Sequence, residues 1–154
     1  MNAFHRACVA ALTSLSLMGS AMAQEARASG VEAKAMLAKA VALIKASGRD
    51  KAYAEFMNAQ GPYFDRDLRV TVLTIDGKFV VNANNPRIVG KDVTSSLDAD
   101  GKPYIKERLE IVKATFKGEQ EYKFLSPVTK QIENKVTYFE RLDDIIVAVG
   151  AYKQ

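Results

Sequence analysis

Near its C-terminus the chain runs Ile145-Ile146-Val147-Ala148-Val149, apolar at every position, with Asp143-Asp144 just before it. A β-strand sends alternate side chains to opposite faces. A strand apolar on both is therefore buried on both and sits in the middle of a sheet. That requirement excludes an isolated hairpin and demands neighbouring strands on either side.

The rest of the chain supplies them. In Leu68–Ile75, Val70, Val72 and Thr74 share one face, and Arg69, Thr71, Leu73 and Ile75 the other. Asp76-Gly77 predicts a two-residue type I′ hairpin turn, whose left-handed positions suit Asp and Gly. The return strand spans Phe79–Ala83, and Asn84-Asn85-Pro86 ends it. Two more strands are expected at Glu119–Leu125 and Lys135–Leu142, before a last one at Ile145–Tyr152. Ser126-Pro127 opens the first connection and Asp143-Asp144 makes the second.

Three helices are expected. In the first, Val31–Ala46, an apolar stripe is formed by Val31, Met36, Leu37, Ala40, Val41 and Ile44, with Gly48 as C-terminal cap. A short second helix, capped by Asp50, turns Tyr53, Phe56 and Met57 inward and closes at Gly61-Pro62. The third starts at Pro103, buries Ile105, Leu109, Val112 and Phe116, and ends near Lys117-Gly118. The order is α-α-β-β-α-β-β-β. Tight hairpins make the sheet antiparallel, so the expected fold class is α+β: a long N-terminal helix, then a PAS-like five-stranded antiparallel sheet with helices on one face.

The first 23 residues read as a signal peptide. Arg6 is the one full positive charge of the opening, a mostly apolar stretch follows from Ala7 to Met18, and Ala21-Met22-Ala23 fits the small-x-small cleavage pattern. The lack of acids before Glu25 argues against an amphipathic cytosolic helix. Residues 24–154 then form a single periplasmic or secreted domain. His5 and Cys8, the only His and Cys, leave with the leader. That excludes Ser-His-Asp and Cys-His nucleophiles, ordinary zinc sites, iron–sulfur clusters and His-ligated haem. No second apolar stretch is long enough for a membrane span. The net charge is +4, but basic residues are scattered among acids, which argues against nucleic acid.

Several motifs carry a resemblance. Asn84-Asn85-Pro86-Arg87-Ile88-Val89-Gly90-Lys91-Asp92 is followed by Asp98-Ala99-Asp100-Gly101-Lys102. Later come Tyr122-Lys123-Phe124, Pro127-Val128-Thr129-Lys130, Lys135-Val136-Thr137-Tyr138 and Val149-Gly150-Ala151-Tyr152, while Glu32-Ala33-Lys34-Ala35-Met36-Leu37 opens the long helix. In this order they resemble an extracytoplasmic single Cache domain. The resemblance implies a sensor that binds small molecules, often short carboxylates or amino acids, between the sheet and the loop and helix covering it. It implies neither an enzyme nor a cofactor. Family members often carry His where Asn82 stands. With no span or signalling module before Gln154, the implied partner is a membrane-bound receptor or sensor kinase. The alternative is a module that has lost its ligand and only docks such a partner.

A carboxylate needs a fixed cation, hydroxyls and amides. Tyr104 and Arg108 are four apart on the third helix and share a face beside its apolar stripe. With Asn82, Tyr122, Lys135 and Tyr138 they form the candidate ligand site. Other readings remain open: Arg108 as a solvated helix residue, Tyr122 and Tyr138 as core aromatics, and Asn85 as turn chemistry. Ser96, Asp98, Asp100, Gly101 and Glu107 partly follow calcium-loop spacing, but Ser opens the run and Lys102-Pro103 occupies its centre. The expectation there is a turn, with no metal site and no catalytic residues.

Overall fold

The computed structural model describes Arg27–Lys153. The expected signal peptide, with His5 and Cys8, lies outside the described residues. The elements are α1 (Gly30–Ser47), α2 (Arg49–Met57), β1 (Phe64–Asp65), β2 (Leu68–Thr74), β3 (Phe79–Asn82), a 3₁₀ turn (Pro86–Ile88), α3 (Tyr104–Thr115), β4 (Lys117–Leu125), β5 (Ile132–Leu142) and β6 (Ile145–Tyr152). No helix among the described residues is long and apolar enough to cross a membrane.

All strand pairs are antiparallel, in the order β1-β2-β6-β5-β4, with β3 on the same edge of β2 as β1. β6 is central, as its composition requires. The sheet has six strands rather than the expected five. The addition is the two-residue β1, which pairs Phe64 with Arg69 and Asp65 with Leu68. Its brevity leaves no alternating pattern to read.

The helices cover both faces of the sheet, which corrects the one-face expectation. Ile145, Val147, Val149 and Ala151 of β6 join the core made with α1 and α2. Ile146 and Ala148 join a second core under α3, with Leu73, Phe79, Ile105, Leu109, Val112 and Phe139. A strand apolar at every position needs cover on both sides.

Local chemistry sets the boundaries. Ser29 and Glu32 form a reciprocal capping box at the start of α1. Val31, expected in the apolar stripe, is 78% exposed, and Ala33 is buried instead. Phe116 is 60% exposed rather than buried, because it takes a left-handed conformation (φ 60°) that ends α3 before the stripe reaches it. The β2–β3 turn is wider than expected. Thr74 N–H donates to the Lys78 carbonyl at 2.8 Å, and Gly77 alone has positive φ there (88°), so three residues span the turn. Asp98 is a turn former: its carboxylate accepts backbone N–H groups of Asp100, Lys102 and Lys123 at 2.8–2.9 Å.

The α1 cap carries a pH dependence. The Arg66 guanidinium, then the backbone and hydroxyl of Ser29, hold the Glu32 carboxyl at about 2, below its ordinary 4.5. A carboxylate depressed in the folded state stabilises the fold above its unfolded value, and that stability is lost as pH falls through the folded one. Glu32→Gln is therefore expected to flatten the decline in melting temperature between pH 4.5 and about 2. Identical acid limbs for both proteins in thermal melts would contradict this.

Candidate ligand-binding cleft

The sheet face under α3 is divided. At one end it is apolar and packed by the helix. At the other, the same alternating positions turn polar: Arg69 and Thr71 on β2, Lys135 and Thr137 on β5, Gly150 and Tyr152 on β6. The start of α3, the Asn82–Asn85 turn and the Ser126–Lys130 loop rim this end, enclosing a cleft of about 350 Å³. Among the described residues no Asp or Glu lines it, whereas Arg69, Arg108, Lys130 and Lys135 do.

Arg108 is the central group. It is 3% exposed, and its Nε and Nη2 find no hydrogen-bond partner among the described residues. Its guanidinium carbon lies 5.5–5.9 Å from the ring centres of Phe139, Tyr122 and Tyr104. Tyr104 and Tyr122 stack at 4.5 Å and form the aromatic floor. The Lys135 ammonium stands over the rings of Tyr152 (4.9 Å) and Phe124 (5.5 Å). Neither Arg108 nor Lys135 has an acidic partner among the described residues. The other two cations also lack an acidic partner and Arg69 Nε is unpaired, but both donate to carbonyls. Arg69 Nη1 donates to the carbonyls of Arg66 (2.8 Å) and Leu68 (2.5 Å), and Lys130 Nζ to that of Pro127 (2.7 Å).

The hydroxyls are ordered. Tyr122 and Thr137 share a hydrogen bond at 3.0 Å, and Tyr152 donates to the Leu125 carbonyl at 2.7 Å. Burial alone would raise the Tyr122 hydroxyl, but the charges of Lys135 and Arg108, with the Thr137 bond, bring it below its ordinary value. Burial raises that of Tyr104. Asn82 Oδ1 accepts the Asn85 backbone N–H at 3.0 Å, and the residue lines the cleft wall.

Asn82, Tyr104, Arg108, Tyr122 and Lys135 thus meet around one cleft. Tyr138 does not. It lies on the opposite face of β5, against the α1 core, with Lys34 Nζ 4.6 Å above its ring and its hydroxyl beside Gly30. The reason is parity: Lys135 and Tyr138 are an odd number of residues apart on one strand and cannot share a face. The same rule points to lining residues absent from the sequence reading. Thr137 follows Lys135 by two, and Tyr152 pairs directly with Lys135. Arg69, Lys130 and Ser126 carry no comparable signal.

The sequence profile described as Single Cache domain 2 matches residues 10–154. The chain belongs to this family. Cache domains are sensory, ligand-binding domains. Among solved structures, the Cache fold here is similar to a methyl-accepting chemotaxis protein from Vibrio parahaemolyticus (TM-score 0.68, 20% identity, covering 89% of this chain and 91% of that one). It is also similar to a structure described as the basis for carboxylic acid recognition by a Cache chemosensory domain (TM-score 0.62, 18% identity, 90% and 93% covered). A third is the periplasmic sensor domain of a chemotaxis protein (TM-score 0.63, 16% identity, 92% and 100% covered). At these identities the likeness is one of fold. No curated protein matches the chain.

In this Cache domain Gly150 keeps the cleft open. A Cβ there would collide with Lys135 Cε and come within 2.6 Å of Thr137 Oγ1. Gly150→Ala is expected to displace the Lys135 ammonium and weaken binding of an acid that reaches it roughly tenfold, about the 1.4 kcal/mol of one impaired charge-assisted contact. The melting temperature should fall as well, because buried Thr137 Oγ1, bonded to Tyr122, must also give way. Unchanged affinity in calorimetry would remove Lys135 from the site.

The cleft rim also reaches the ends of the described chain. Thr129 Oγ1 in the rim loop donates to Glu133 at 2.7 Å, and Glu133 pairs with Arg27 at 2.6 Å. Arg27 in turn donates to the Lys153 carbonyl at 3.2 Å, and Ala28 N–H to buried Asp67 at 2.7 Å.

Proposed function

We propose that this cleft binds a short organic acid and that the protein is an extracytoplasmic sensor reporting occupancy to a partner such as a membrane-bound receptor or kinase. The observation that carries the reading is Arg108: a buried guanidinium with two unpartnered nitrogens, in a cleft without carboxylates. Burying an unpaired charge is costly, and a bidentate carboxylate supplies the missing acceptors. Tyr104, Tyr122 and Asn82 add donors, and the aromatic floor accommodates a short carbon chain. The carboxylic acid recognition described for one structurally similar Cache domain is consistent with this chemistry. The link from Thr129 through Glu133 to Arg27 supports a route outward, because it joins the rim to the start of α1. The expected signal peptide supports the location.

The test is a thermal-shift screen of the purified protein against short organic acids, amino acids, amines and neutral sugars. A ligand that binds only the native state raises its stability, by about 2.7 kcal/mol at a hundred times its dissociation constant. Stabilisation by organic acids and not by amines or sugars is the expected result. No response to any acid would overturn the reading.

A further inference from the structure

We infer that the ligand is doubly anionic and carries no ammonium group, with one acidic group at Arg108 and the other at Lys135. This rests on the acid-binding reading and narrows it. The number of unsatisfied cations carries the argument. Of the four that line the cleft, Arg69 and Lys130 donate to main-chain carbonyls, though Arg69 Nε is left unpaired, whereas Arg108 Nε and Nη2 have no partner among the described residues and the Lys135 ammonium rests on aromatic rings. A monocarboxylate would supply acceptors to one of them and leave the other without any.

The two charges also rest on different rings. Arg108 descends from α3 onto Tyr104, Tyr122 and Phe139. Lys135 rises from β5 over Tyr152 and Phe124. Tyr122 lies between them, its ring 5.8 Å from Arg108 and its own strand position paired with Lys135. Its hydroxyl feels both charges. A ligand with acidic groups at its two ends and a short apolar middle would place each end at a cation and its carbons on the Tyr104–Tyr122 stack. An α-amino acid fits poorly, because its ammonium would enter a cleft lined by four cations and no carboxylate. Like charges brought together in a poorly solvated site repel.

The experiment is titration calorimetry of the purified protein at neutral pH with chain-matched pairs: malonate and propionate, succinate and butyrate, glutarate and pentanoate. L-aspartate is added as the ammonium-bearing counterpart of succinate. At least one diacid is expected to bind ten times more tightly or better than its monoacid and, for the four-carbon skeleton, than aspartate. In Lys135→Met that preference should collapse to within threefold through loss of diacid affinity, with far-UV circular dichroism confirming the fold. Monoacids binding as tightly as their diacids would overturn this inference and leave the acid-binding reading standing. Aspartate matching succinate, or Lys135→Met weakening both members of a pair equally, would also overturn it. If no acid of either kind binds, both readings fail together.

Discussion

Arg108→Met is expected to lower affinity for the stabilising acid at least 100-fold, while the ligand-free protein melts at the same temperature or higher. The two halves of this result have one cause. Arg108 is buried, and Nε and Nη2 find no partner among the described residues. A bidentate guanidinium–carboxylate contact contains two charge-assisted hydrogen bonds. Losing it costs about 2.7 kcal/mol or more, which is a factor of 100 in dissociation constant. In the free protein the same group is a buried charge without a counter-ion. Replacing such a charge with an apolar side chain of similar reach is neutral or stabilising. Met keeps the contacts with Phe139, Tyr122 and Tyr104 that an alanine would forfeit. A structural Arg108 would give the opposite pattern: a large drop in melting temperature and unchanged binding. Tyr138→Phe, on the far face of β5, should leave acid affinity where it was.

Phe139→Ala is expected to have the largest effect on stability, about 3–5 kcal/mol. Phe139 is 1% exposed and lies in the core under α3, with Ile146 and Ala148 beside it. Its ring abuts Gly118, where a Cβ would come within 2.9 Å of it, so the strand has been kept bare to admit the ring. Removing the ring leaves a cavity between two strands and a helix that are held by their own hydrogen bonds and cannot collapse into it. Urea unfolding should show the lower midpoint with little change in slope. A loss below 1 kcal/mol would mean that α3 does not seal this face of the sheet. Phe139 also forms the floor beneath Arg108 (5.5 Å), so acid binding should weaken too, by less than in Arg108→Met.

Much of this arrangement was legible in the sequence because the strands alternate and the helices carry stripes. The central position of β6 followed from five apolar residues in succession. Its consequence, cover on both faces, followed from the same residues and outweighs the one-face expectation. Tyr104 and Arg108 came together because four residues on a helix make one face. Tyr138 was misplaced by a single parity step relative to Lys135. What was not legible depends on distant segments or on local backbone: the two-residue β1, the left-handed Phe116 that cuts α3 short, the three-residue turn around Gly77. Nor does the spacing of charges say which cations find carbonyls. That Arg69 and Lys130 do, and that Arg108 and Lys135 do not, is a property of the folded chain.

A second hollow offers the sharpest contrast to the cleft. It is a broader groove of about 680 Å³ beside α1, lined by residues that include Glu32, Met36, Leu43, Tyr63, Asp65 and Leu68. It contains acids and lacks any buried unpaired cation, so it offers an organic acid nothing comparable to Arg108. The direct measurement is a crystal structure of the protein with its most stabilising acid. The account predicts a carboxylate within hydrogen-bond distance of the Arg108 guanidinium, between the Tyr104–Tyr122 stack and Lys135. Density for the acid in the groove beside α1, with Arg108 still unpartnered, would contradict it.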